Sequence, residues 1–154
     1  GPGDATTRVA TVAMAIRGQL TDPALDNADL PYAPPYSLAL DHVIVAAQVL
    51  ENKLTGRMQG VSVEGVKTRI DQGADCFILD VRTPREFEAM RLGIGETLIP
   101  LGALRDRLHE LPQDREREIS LRGYEAAIIL SAHGWRNVRV MEGGVMAWPY
   151  PREK

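Results

Sequence analysis

Cys76-Phe77-Ile78-Leu79 constrains the fold more than any other stretch of the chain. An unbroken apolar run of this length reads as a strand buried on both faces, as in a parallel sheet. The chain leaves it through Asp80-Val81-Arg82. Thr83 can then cap a short helix, with Pro84 at its first position and Glu86 close behind. The rest of the second half alternates in the same manner. Ser62 caps a helix predicted through Ile70, with Glu64 or Gly65 in its first turn, and Gly73 follows. Leu98-Ile99-Pro100 is a short strand, and Leu101 to Leu111 an amphipathic helix carrying Leu101, Leu104, Leu108 and Leu111. A further helix runs from Leu121 to His133 and ends at Gly134. Val138-Arg139-Val140 is a strand, and Gly143-Gly144 turns the chain into a last short helix at Val145 to Trp148. Such alternation specifies an α/β domain, a parallel sheet flanked by helices.

The first segment, from about Asp4 to Gly60, has a different character. Arg8 to Arg17 has helical spacing, with Val9, Val12, Ala13 and Ile16 on one face. Leu30-Pro31-Tyr32-Ala33-Pro34-Pro35-Tyr36 carries three prolines in five residues, which leaves an extended connector. Asp41 can cap a second helix through about Leu54, with Val45, Val49 and Leu50 among its apolar positions, and Thr55-Gly56 ends it. Two helices and a proline-rich strap enclose little core of their own. This segment is expected to dock on something else, with Tyr32 and Tyr36 the candidates for burial there. The expected division of the 154 residues is a small helical piece, 1–60, and a domain, 61–154.

One place breaks the pattern. An α/β domain needs a strand between the helix ending near Leu111 and the helix starting near Leu121. The residues there are Pro112-Gln113-Asp114-Arg115-Glu116-Arg117-Glu118-Ile119-Ser120, with one large apolar side chain among them. A central parallel strand is expected to be a run of several Val, Ile or Leu. The reading is therefore a missing strand, with Asp114 to Glu118 a solvated charge run.

Composition narrows the functions. A net charge of −3 offers no basic field for nucleic acid or an anionic membrane. No apolar run approaches a membrane span, and Gly1-Pro2-Gly3-Asp4 lacks the regions of a signal peptide, so the expected setting is cytoplasmic. The single cysteine, Cys76, excludes an internal disulfide and a multi-cysteine metal site. His42, His109 and His133 lack metal-ligand spacing, so no metal is expected.

Leu79-Asp80-Val81-Arg82-Thr83-Pro84-Arg85-Glu86-Phe87 resembles the strand-and-turn signature of rhodanese domains, and Met141-Glu142-Gly143-Gly144-Val145-Met146-Ala147-Trp148 resembles their C-terminal signature. Met90-Arg91-Leu92-Gly93-Ile94-Gly95-Glu96 and Ser120-Leu121-Arg122-Gly123-Tyr124-Glu125-Ala126-Ala127 are similar to the rhodanese domain fused to coenzyme A-disulfide reductases, which are FAD- and NAD(P)H-dependent pyridine nucleotide-disulfide reductases. Ala15-Ile16-Arg17 and the Leu30 to Ser37 stretch resemble the end of their dimerisation domain. The resemblance implies a rhodanese-like parallel sheet preceded by a dimerisation-domain remnant, and a chain corresponding to the C-terminal part of such an enzyme. FAD, NAD(P)H and coenzyme A are implied for the parent and no cofactor for this chain, since no Gly-x-Gly-x-x-Gly follows a strand and Gly93-Ile94-Gly95 is too short. The implied partners are a sulfane-sulfur donor or other small anion, the parent's reductase domains and a second copy of the chain.

The resemblance also locates a site. Rhodanese domains end their central strand in a cysteine, followed by a four-residue loop and an arginine. Arg122 matches that arginine, which places Arg117 where the cysteine belongs and Glu118, Ile119, Ser120 and Leu121 in the anion-binding loop. Sulfur transfer needs a thiolate to attack a sulfane sulfur, held by loop amides and a helix N-terminus. An arginine cannot be that nucleophile. Asp80 and Arg82 read as support for the site through a cap or ion pair. Cys76 reads as a buried structural thiol, and Trp148 and Tyr150 as packing residues. Two functional classes follow: a sulfur-handling domain of a disulfide reductase that has lost its cysteine, or a non-catalytic module that binds an anion or a partner.

Overall fold

The structure is a computed structural model and describes residues 5–28, 30, 40–121 and 123–153, with the backbone alone at Ala5, Thr7, Ser120 and Leu121. Tyr32, Tyr36 and the rest of the proline-rich connector, and Arg122, lie outside the described residues. The chain divides into two compact units, Gly1–Arg57 and Met58–Lys154.

The first unit contains α1 (Ala5–Arg17), α2 (Asp22–Asp26) and α3 (His42–Leu54). Asp41 caps α3 by accepting the Val43 N–H at 2.9 Å, and its second oxygen takes Arg8 Nε at 3.1 Å, tying α1 to α3. The helix stops at Thr55, followed by Gly56 at φ +73°. The sequence reading missed α2, whose signal is Pro23 in its first turn. Ala15, Val43 and Ala47 are buried. The larger apolar residues of α1 and α3, among them Val9, Val12, Ile16, Val45, Val49 and Leu50, stay exposed.

The second unit runs β1 (Gln59–Val61), α4 (Val63–Asp71), β2 (Cys76–Asp80), α5 (Pro84–Ala89), β3 (Thr97–Leu98), two 3-10 turns (Leu101–Ala103 and Leu108–Glu110), β4 (Glu118–Leu121), α6 (Tyr124–Ala132), β5 (Val138–Met141) and a last 3-10 turn (Gly144–Ala147). The strands form one parallel sheet in the order β1-β5-β4-β2-β3. Ser62 caps α4 through the Gly65 N–H, and Thr83 and Glu86 form a capping box on α5. The sheet separates two apolar layers, as the period-2 alternation of strands requires. Leu79, Ile119, Val138 and Val140 face one layer with Leu104, Leu130 and Trp135. Met141 and Val61 face the other, with Val66, Leu92, Val145 and Trp148.

Three expectations need correction. β1 lies where the first segment was expected to end, too short and too polar to show a strand pattern. Residues 101–111 form two separate 3-10 turns rather than one amphipathic helix, although Leu104 and Leu111 are buried as their spacing implied. Most consequential, the central strand is present. Glu118–Leu121 is β4, paired to β2 on one side and β5 on the other. It escapes an apolar-run criterion because Glu118 occupies a sheet-face position by ion pairing. Its carboxylate lies 3.0 Å from Arg69 Nε and 3.2 Å from Arg139 Nε. Ile119, fully buried, supplies the apolar side chain on the opposite face.

Candidate functional site

In parallel α/β sheets, ligands bind beyond the carboxyl ends of the strands. Here that edge collects the exits of β2, β4 and β5. At the β2 exit, Asp80 and Arg82 form a buried fork. Arg82 donates from Nε to Asp80 Oδ1 and Oδ2 at 3.0 and 2.8 Å, and from Nη2 to Oδ2 at 2.6 Å. Asp80 Oδ1 also accepts the Arg82 backbone N–H at 2.9 Å. The remaining guanidinium donors reach the carbonyls of Glu86 at 3.1 Å and Met90 at 2.7 Å. Arg82 is thus committed to holding α5 and the segment after it, and it presents no free fork to a substrate anion.

At the β4 exit, Arg122 and Gly123 alone separate the strand from α6. Gly123 has φ +120°, and a Cβ there would lie 3.5 Å from Val81 Cγ2, so the join rests against the residue that follows β2. The four-residue loop inferred from the sequence is therefore not a loop. Glu118, Ile119, Ser120 and Leu121 are the strand itself, and their amides serve the sheet ladder. α6 starts at Tyr124 rather than at Leu121. Arg117 precedes the strand instead of ending it, so it stands at the opposite end from a nucleophile position. Its Nη2 pairs with Asp75 Oδ1 at 2.6 Å.

The single thiol is also at that opposite end. Cys76 opens β2 in register with Glu118. Four residue-to-residue steps along the strand, about 13 Å, separate it from Asp80. Burial pushes its pKa up and the neighbouring Glu118 carboxylate pushes it further, which favours the neutral thiol. A sulfur nucleophile needs the reverse.

In the charge run before β4, Asp114, Arg115 and Glu116 are exposed, as a solvated stretch implies, although some of its groups have partners. Arg115 lies over the Trp135 ring at 3.3 Å, Trp135 Nε1 donates to the Pro112 carbonyl at 3.1 Å, and Arg136 pairs with Glu116 at 2.9 Å. Glu96 went unnoticed in the sequence, although it directly follows the Gly93-Ile94-Gly95 triplet. It accepts the N–H groups of Leu92, Gly93 and Ile94 at 2.7, 3.1 and 2.8 Å. Those amides are already satisfied by a carboxylate, so this glycine pair does not fit a dinucleotide phosphate. Among the described residues no group of three or more His, Cys, Asp or Glu could hold a metal ion, and no helix is long and apolar enough to cross a membrane.

No protein-family model matches the chain. A sulfurtransferase of Allochromatium vinosum is 28% identical over 92 residues, 57% of this chain and 85% of that protein. The structure of reduced CoADR-RHD from Bacillus anthracis is 32% identical with a TM-score of 0.83, over 92% of this chain and 26% of that one. An NAD-dependent persulfide reductase from A. fulgidus is 38% identical with a TM-score of 0.81, over 97% of this chain and 26% of that one. The chain thus spans about a quarter of each of those two proteins. Met58–Lys154 is a rhodanese-like domain, carried on a chain similar along nearly its whole length to part of a coenzyme A-disulfide reductase and part of a persulfide reductase.

Proposed function

We propose that this chain is the C-terminal part of a pyridine nucleotide-disulfide reductase acting on coenzyme A disulfide, persulfide or polysulfide, and that its rhodanese-like domain is a non-catalytic, partner-binding module of that enzyme. The observation that carries this reading is the two-residue join from β4 to α6, with the only thiol at the far end of the sheet. Sulfur transfer requires a thiolate beyond a strand's carboxyl end and a loop whose successive amides hold the terminal sulfur anion. Cys76 is in the wrong place and is biased toward the neutral thiol. With Glu118–Leu121 paired in the sheet on both sides, their amides are not available as an anion cradle, which favours a partner surface over a small anion as the ligand. On this reading residues 1–60 are the end of the dimerisation domain and the linker. The parent's FAD, NAD(P)H and coenzyme A then belong to domains outside this chain, and the setting is cytoplasmic.

The test is formation of thiocyanate from thiosulfate and cyanide by the pure chain, beside its Cys76→Ser variant. Both are expected at the protein-free rate. Turnover by the unmodified chain that the variant loses would restore a sulfur-carrying role. A flavin-bearing gene product that includes these residues supports the reductase parent, and a gene encoding no reductase domains removes it. Light scattering tests the implied dimer, which a strictly monomeric chain at high concentration would exclude.

A further inference from the structure

Residues 90–96, between α5 and β3, fold around a carboxylate of their own. Glu96 Oε1 accepts the Leu92 and Gly93 N–H groups and Oε2 the Ile94 N–H, at 2.7, 3.1 and 2.8 Å. Consecutive amides converging on one point make an anion nest, and Gly93 supplies the positive φ (+72°) that bends them inward. The nest's anion is thus internal to the chain. Burial pushes the Glu96 carboxyl up, but hydrogen bonds from its own amide and from those of Ile94, Gly93 and Leu92 outweigh it and hold the group below the usual carboxylate range. Closing the nest seats Leu92 and Ile94 in the apolar layer with Trp148 and Tyr150.

The end of the chain lies against the same loop. Arg91 forms an antiparallel bridge with Glu153. A Cβ at Gly93 would fall 2.7 Å from Glu153 Cγ, so tail and loop are in close contact. Arg152 donates to the Trp148 carbonyl at 2.6 Å and to Met90 Sδ at 3.2 Å. The Met90 carbonyl in turn receives Arg82, the brace of the β2 exit. Charged groups near this region include Arg91, whose guanidinium stands 5.1 Å from the Phe87 ring centroid, Arg82 paired with Asp80, Arg152, Glu153, the Arg85, Glu86 and Glu88 of α5, and Lys67 of α4, 5.5 Å from the Tyr150 ring centroid.

We propose that Glu96 is the pin of a conformational latch: its charge closes the loop and thereby seats the C-terminal tail, and loss of that charge releases loop and tail together. The latch is independent of the functional reading above. Three donors converge on two oxygens, so a neutral side chain that turns an N–H group into the nest replaces an attraction with a clash of donors.

Hydrogen exchange on the full chain tests this with two changes, Glu96→Gln and removal of residues 152–154. In Glu96→Gln, the amides of residues 92–94 and of the tail should both exchange about tenfold faster or more, while β2 and β4 keep their rates. Coupling is reciprocal, so removing the tail should speed exchange at 92–94. A tail that keeps its rate in Glu96→Gln while the loop opens overturns the proposal, as does a loop indifferent to tail removal. Should Glu96→Gln fail to fold, the shortened chain decides alone.

Discussion

Replacing Glu118 by alanine strikes the feature that lets a charged segment serve as the central strand. The side chain is 15% exposed and pairs with Arg69 and Arg139, which are 30% and 31% exposed. Removing one partner of a fully buried pair costs about 3–5 kcal/mol, because the other charge is left unsolvated. Here both arginines reach water over about a third of their surface, so part of that penalty is recovered by hydration. The expected loss is about 1–2 kcal/mol. Both tryptophans, Trp135 and Trp148, are buried in the second unit, so their fluorescence in urea follows that unit's unfolding. With a slope of about 1 kcal/mol per molar urea for a unit of this size, the midpoint should fall by about 1–2 M. A double-mutant cycle with Arg139→Gln should show a coupling of about 0.5 kcal/mol or more. An unchanged midpoint, or a coupling indistinguishable from zero, would refute the claim that ion pairing sustains β4.

Further predictions concern the site edge and the two shifted groups. Asp80→Asn breaks a fork whose partners are 6% and 8% exposed, so the cost should approach about 3–5 kcal/mol, with faster hydrogen exchange in α5 as the accompanying sign. Glu96 is held below its usual range, so its contribution is present above the unfolded value of about 4.3 and lost as pH falls through the folded one. Stability measured against pH should show that acid loss in the wild type and a reduced one in Glu96→Gln. Cys76 is shifted upward, so its contribution is intact below about 8.5 and lost as pH rises through the folded value. Iodoacetamide at pH 7 should accordingly alkylate it more slowly than a free peptide thiol, and a faster reaction would contradict the burial argument.

Much of the fold was legible because its signals are local. The β2 run, the caps at Asp41, Ser62 and Thr83, and the glycines at 56, 73 and 143 each act within a few residues of where they stand. β4 was not legible, because its stability is written elsewhere. Glu118 is acceptable in a sheet only because Arg69 arrives from α4 and Arg139 from β5, and no window along the chain contains all three. The site inherited that error. Counting back from Arg122 assumed a loop before the helix, and with Glu118–Leu121 in the sheet the count put Arg117 at the wrong end of the strand. The short tail contact at Arg91 and Glu153 joins residues more than sixty positions apart and leaves no periodic trace in the sequence.

Whether sulfur can be held on this chain at all is the most direct question. The intact mass should be measured before and after excess thiosulfate or polysulfide, with and without thiol alkylation, and again after cyanide. The expected result is one alkylatable thiol, Cys76, and no cyanide-removable sulfur on the protein. A cyanide-labile sulfur added at close to one per chain would contradict the proposal that this rhodanese-like domain is non-catalytic.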